Sequence, residues 1–385
     1  MNRSPEIAAE FERYENGSKA EEQALIDALA AKIDFLQHIN RDPQTGQFHR
    51  GTHAKGMTCA NAEFEVFDVA VANPGATAEE IATLRQGLYR TPGRYPARAR
   101  FASGRSQKRD DRKPDERALS FSIDLGQGAR QDYSMNSAYI FPIPSLAAFN
   151  AVFMLSLING IRAGKASDEA KKYVISHLKD AFCVQALRRI PELGRTLSNA
   201  FKITRRKVVS FRQTTYWSGT AFRHGDRDAV KYLAVPCGGE VLGSTPENAG
   251  TDYLQDDLRA WVNGQATPVS FDFRLQFLDA EKMHLDGKKF PAWKWVEDPT
   301  LNWDAASARD FLVGRLTIPP GSISEDIDDP AIFPAFDVTG NSLAEHKPLG
   351  RINRGRAVVE LRSRDNRARP VFLGRIEGRH EDALT

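Results

Sequence analysis

Cysteine is scarce in this chain. The three present, Cys59, Cys183 and Cys237, are widely separated and form no CxxC pair. That scatter argues against a disulfide framework and against a structural zinc site. Long apolar runs are missing too. No stretch of 18 apolar residues occurs, so no membrane-spanning helix is expected. The first residues, Met1-Asn2-Arg3-Ser4-Pro5-Glu6, lack the apolar core of a secretory signal. The expectation is a soluble, cytoplasmic protein. Charge of one sign is also in short supply. The net charge is +3 over 385 residues, so the composition calls for neither nucleic acid nor an anionic membrane as partner. The last absence is tyrosine: none of the nine follows Tyr253. No Cys or Met follows Met283, which leaves His284, His346 and His380 as the only imidazole or soft donors in that stretch.

What is present describes an ordinary globular chain, with 41% hydrophobic and 27% charged residues. Its length supports a substantial core without covalent staples. Residues 1–45 read as a helical arm, because Leu25, Ile26, Leu29, Ile33 and Leu36 recur at helical spacing. Such an arm packs on its own domain or on a second subunit, so a homo-oligomer is open. From about residue 58 the period becomes two. Leu119, Phe121, Ile123 and Leu125 alternate with Ser120, Ser122 and Asp124, and Val269 to Phe277 alternates as strictly. Ala62 to Val71, Tyr95 to Phe101, Asp132 to Phe141, Val208 to Trp217, Ala229 to Val235 and Phe311 to Ile318 are further strand candidates. About eight strands suffice to close a small antiparallel barrel. Residues 145–205 form a helical insertion, and Gly104 to Glu116 reads as an exposed, charged loop. The division is thus an arm (1–45), a barrel domain (46–330) and a C-terminal segment (331–385). Beyond Pro319 the chain turns irregular, with acidic Glu325 to Asp329, and then arginine-rich, where Ile352 to Arg362 could begin a helix.

Several residues invite chemistry. His53 sits among small, flexible neighbours just before a strand, and an unperturbed imidazole titrates near neutrality. Arg98 and Arg100 project from one face of a strand, with Arg50 three residues before His53. Converging guanidinium groups would clamp carboxylates. Asn136 stands in an apolar strand, where an amide needs a specific partner.

These residues also carry a resemblance. Arg50-Gly-Thr-His53-Ala-Lys-Gly, followed by Phe64-Glu65-Val66, resembles the catalase signature around its distal histidine. Ala99-Arg100-Phe101, Asp115-Glu116-Arg117-Ala118 and Met135-Asn136-Ser137-Ala138-Tyr139-Ile140-Phe141 are similar to later catalase segments. Phe149 falls where the family places an aromatic residue near haem. Thr215 to Arg223 and Val230-Lys231-Tyr232 resemble the short, catalase-related branch that includes small peroxidases and allene oxide synthases. The likeness runs from about residue 48 to 320. It departs in three places. In strict register Ala102 replaces the serine that supports the distal histidine, although Ser103 is adjacent. Ser137 replaces a second Asn. The proximal Arg-x-x-x-Tyr is missing, because Arg351, Arg354 and Arg356 are followed four residues on by Gly355, Val358 and Glu360.

The resemblance implies an α+β fold: a catalase-like antiparallel eight-stranded barrel with a helical insertion and a helical arm. It implies haem b as cofactor and a hydroperoxide as substrate. His53 would move the proton, and Asn136 would orient the outer oxygen. Arg50 and Arg100 would hold propionates, with Phe101 and Phe149 beside the ring. His346, in the constrained stretch Glu345-His346-Lys347-Pro348, is the candidate axial ligand to the metal. Without a phenolate, the expected activity is peroxidase-like or hydroperoxide-rearranging rather than strong dismutation. The competing expectation is a haem-free barrel that binds another ligand or serves as a scaffold.

Overall fold

The computed structural model describes residues 8–42, 44–181, 190–206, 208–264, 267–324 and 336–368. Cys183, His380 and the acidic run Glu325 to Asp329 lie outside them. Ten strands form one antiparallel sheet: β1 (Gly56–Val66), β2 (Gly93–Ser103), β3 (Arg117–Gly126), β4 (Ala129–Asn136), β5 (Tyr216–Trp217), β6 (Phe222–His224), β7 (Asp228–Pro236), β8 (Val269–Phe277), β9 (Asp310–Ile318) and β10 (Ile323–Ser324). The order β1-β2-β3-β4-β5-β7-β8-β9 closes because β9 pairs back onto β1. This is the eight-stranded antiparallel barrel that the alternating pattern predicts. The closing seam needs a glycine. At Gly314, opposite Val66, any Cβ would collide with the Glu65 carbonyl.

Alternation puts every second side chain inside. Phe121 stacks on Tyr133 at 4.9 Å, and Tyr133 meets Tyr232 edge-on at 4.9 Å. Phe64, Phe271 and Phe273 complete this filling and are fully buried. The barrel interior is therefore a packed core. Any ligand site must lie on the outer face.

One stretch of that outer face is covered by helices. The arm helix Lys19–Ile39 buries Ile26, Leu29, Ile33 and Leu36 against Leu146, Phe149 and Phe153 of the helix Leu146–Arg162. Each such side chain contributes roughly 1.5–3 kcal/mol on burial. The C-terminal helix Arg351–Ala368 joins the same layer through Ile352, Val358 and Val359. An ionic knot secures it. Arg354 bonds Glu12 at 2.5 Å, Glu22 at 2.6 Å and Glu297 at 3.3 Å, with all four side chains buried.

Some boundaries differ from the sequence reading. The first strand starts at Gly56 and ends at Val66, and Val69–Ala72 is a short helix. The fourth strand stops at Asn136 rather than Phe141. Of Val208 to Trp217, only Tyr216–Trp217 is strand, and Phe211–Gln213 is a 3-10 turn. In the loop Gly104 to Glu116, Asp111 and Asp115 are buried, and Asp111 pairs with Lys55 at 2.7 Å. Among the described residues, no helix is long and apolar enough to cross a membrane.

Candidate functional site

A cleft of about 930 Å³ lies between the outer face of β2–β4 and the C-terminal helix. Its sheet wall is set by register. Arg100 pairs with Ser120 and Ser120 with Ser134; two residues along, Ala102 pairs with Ala118 and Ala118 with Asn136. Directly opposed residues share a face. Arg100, Ala102, Ala118, Ser120 and Ser134 all line the cleft. Asn136 is on that face in the Ala102–Ala118 row, but does not form part of the wall. It is 5% exposed, and its Oδ1 lacks a hydrogen-bond partner.

The loop 50–53 forms a second wall, contributing Arg50, Gly51, Thr52 and His53. It is pinned from three sides. His53 N donates to the Gly104 carbonyl at 3.0 Å, and Arg100 Nη2 donates to the His53 carbonyl at 3.3 Å. Gly51 N donates to Ser363 Oγ at 3.0 Å, and Gln37 Nε2 donates to the His49 carbonyl at 2.7 Å. A Cβ at Gly51 would meet the Ile33 side chain of the arm and force it to shift. His53 itself has φ 55°, a left-handed conformation that costs of order 1–3 kcal/mol in a non-glycine residue and concentrates at functional sites.

Burial pushes the His53 pKa down to about 3, and the charges of Arg100, Arg356 and Arg50 push the same way. The imidazole is therefore neutral at ordinary pH, and its Nδ1 has no hydrogen-bond partner. Nearby Glu116 moves oppositely. Burial, then the Asp115 charge, raise it to about 8 despite Arg356.

The remaining sequence candidates are placed elsewhere. Phe101 points into the barrel, against Phe211, Tyr216 and Phe271. Phe149 packs on Phe141 and Phe153 within the helical layer. His346 is fully buried beside Tyr89 and His224, and its Nε2 accepts from Leu88 N at 3.0 Å. It does not line the cleft. Arg98 bonds Asn61 on the neighbouring strand at 2.9 Å and does not line the cleft.

Sequence reasoning missed Arg356 and Glu360. The wall facing the sheet carries Val359, Glu360 and Ser363. Arg356 reaches Ser134 Oγ on β4 at 3.1 Å and Glu360 Oε1 at 3.0 Å. The available signal was the four-residue spacing from Arg356 to Glu360, one helical turn.

The fold is that of catalases. The chain is similar to a fungal catalase (16% identity, TM-score 0.55, covering 82% of this chain and 57% of that one). It is similar to catalase A from Saccharomyces cerevisiae (16%, 0.56, 82% and 59%). It is likewise similar to a bacterial catalase (17%, 0.56, 86% and 59%). The chain thus spans less than two thirds of each of these structures. No family model matches it. No curated protein matches it either.

The cleft suits a haem in charge and in the kind of group it presents. Arg50, Arg100, Arg364 and Arg367 line it for carboxylates, and His53 offers an unpartnered nitrogen. Among the described residues, no group of three or more His, Cys, Asp or Glu is placed to hold a bare metal ion. The C-terminal helix Arg351–Ala368 contains no Tyr, His, Cys or Met, and the acidic side chains it brings to the cleft are Glu360 and Asp365.

Proposed function

We propose that this chain is a catalase-related haem protein acting on hydrogen peroxide or organic hydroperoxides, peroxidase-like or rearranging rather than strongly dismutating. The observation carrying this reading is His53, held neutral by burial and three arginines on the wall of a cleft roofed by the C-terminal helix. Haem, when bound, supplies the iron that accepts a peroxide oxygen and the redox chemistry that follows. His53 takes the hydroperoxide proton at Nδ1 and returns it to the departing oxygen. Asn136, on the same sheet face with its Oδ1 unpartnered, would orient the outer oxygen through its amide, although it does not line the cleft as the structure stands. Arg50 and Arg100 hold propionates, and Arg364 and Arg367 suit a carboxylate on a longer substrate. The arm and C-terminal helices keep water from the reacting atoms.

The test is the absorption spectrum of protein expressed with ample haem. A Soret band at near one haem per chain is expected. Folded protein that takes up none would overturn the reading. It would favour a haem-free barrel that binds another ligand or acts as a scaffold. One observation supports that second reading: Arg356 spans the cleft to Ser134, within the space a ring would share.

A further inference from the structure

We propose that the solvent-facing side of the helix Ile190–Thr204 docks on an anionic lipid bilayer, with Leu197 and Phe201 entering the headgroup region and Lys202 and Arg205 pairing with lipid phosphates or carboxylates. The proposal stands apart from the haem reading and survives its failure.

Charge patterning points there first. The whole chain is nearly balanced, with 53 basic and 50 acidic residues. From Leu193 to Gly225 the balance breaks: seven lysines and arginines occur and no Asp or Glu. A basic stretch that is also an amphipathic helix suits an anionic surface.

The helix is anchored on one side and bare on the other. Thr196 and Ile203 are buried, and Ile203 packs with Ala138 and Ile140. On the side turned to solvent, Leu197 and Phe201 are 55% and 56% exposed and lie one turn apart. Lys202 and Arg205 are exposed beside Phe201, and neither forms an ion pair among the described residues. The Arg205 guanidinium lies 4.0 Å from the centre of the Phe201 ring. Its long stem lets the ring sink while the charge stays among headgroups.

The apolar surface continues past the helix. Exposed Tyr139 meets Trp217 edge-on at 6.4 Å, and exposed Leu242 bridges to Val208. Two nearby cations are already used inside the protein. Arg195 pairs with Asp298 at 3.1 Å, and Arg206 donates to the Ser137 and Thr215 carbonyls. The acid at this edge, Glu240, accepts from Arg206 and from Thr215 N, so it does not neutralise Lys202 or Arg205.

Shape favours a bilayer over a folded partner. Leu197 and Phe201 project from the outer side of a single helix and do not line a groove. A fluid surface accepts projecting side chains without a matched shape. Apolar insertion and charge attraction together give the two contributions that peripheral binding needs.

The experiment sediments full-length protein with vesicles of phosphatidylcholine alone and of phosphatidylcholine mixed with phosphatidylserine. It compares wild type, Leu197→Gln/Phe201→Gln, Lys202→Glu/Arg205→Glu and, as a remote charge control, Lys282→Glu/Lys289→Glu. All substituted positions are exposed, and circular dichroism with a thermal melt confirms that each variant is folded. Wild type and the remote control should bind the phosphatidylserine vesicles at least tenfold more tightly than the neutral ones. The apolar variant should lose at least tenfold, and the charge variant should lose its preference for phosphatidylserine. Wild type that stays in the supernatant would overturn the proposal. So would losses of equal size in the remote control, or a loss in the charge variant that the apolar variant does not share, which would mark a polyanion site. A solution dimer that Leu197→Gln/Phe201→Gln dissolves, without vesicle binding, would give this face to a second copy of the chain and overturn it too.

Discussion

Arg356 donates to Ser134 Oγ at 3.1 Å, joining the C-terminal helix to the outer face of β4 across the cleft. The same guanidinium holds Glu360 and lies over Phe141 at 5.9 Å. Its charge also helps keep His53 neutral. One side chain thus couples both walls of the site. Removing it should raise the His53 pKa and loosen Glu360 together. Arg356→Leu is expected to shift the His53 imidazole signal toward higher pH in an NMR titration, and an unchanged titration would show that the coupling is absent.

His53→Asn should abolish hydroperoxide turnover while sparing the backbone, because Asn tolerates the left-handed conformation observed at φ 55°. A loss of about 100-fold or more in kcat, with haem content unchanged, matches removal of a general acid–base group. Steady-state peroxidase assays on haem-loaded protein measure it. Turnover within twofold of wild type would remove His53 from the mechanism.

Arg354→Met should destabilise the fold strongly. It leaves Glu12, Glu22 and Glu297 buried without their shared cation. Breaking a buried pair from one side typically costs about 3–5 kcal/mol. Urea unfolding of the two proteins measures the difference, and a loss below ~1 kcal/mol would mean the cluster relaxes or rehydrates.

Stability should fall as pH drops below about 6.5, the unfolded histidine value. Burial lowers His346 to about 3 and His224 to about 4, and burial with neighbouring arginines lowers His53 to about 3. Between those values and 6.5 the unfolded chain binds more protons than the folded one, so acid favours unfolding. Glu116 acts in the opposite sense, since its raised pKa contributes stability that is lost as pH rises from the ordinary carboxylate value toward about 8. Urea midpoints from pH 4 to 8 should rise to about 6.5, where three histidines outweigh Glu116, and then decline slightly toward 8 as Glu116 alone acts. A profile flat from 4 to 6.5 would contradict the buried neutral histidines.

The barrel was readable in the sequence wherever strands have one buried face. Leu119 to Leu125 and Val269 to Phe277 alternate because the pleat alternates. Val208 to Trp217 misled because its apolar residues fill a buried loop with a 3-10 turn, which periodicity does not separate from a strand. The site was readable in part. His53, Arg50 and Arg100 do meet at one cleft. Arg100 and Phe101, each expected to bind the cofactor, are adjacent in β2 and so face opposite sides of the sheet. His346 stood in a suggestive stretch, but linear position does not say which end of a barrel a loop reaches. Glu360 registered only as a missing tyrosine, because an Arg-x-x-x-Glu helix turn also describes an ordinary surface pair.

The most direct test of the central claim is the absorption spectrum of wild-type protein purified after expression with ample haem. A stoichiometric Soret band with high-spin ferric features is the predicted result. A folded, colourless protein that also fails to take up haem on titration would contradict it.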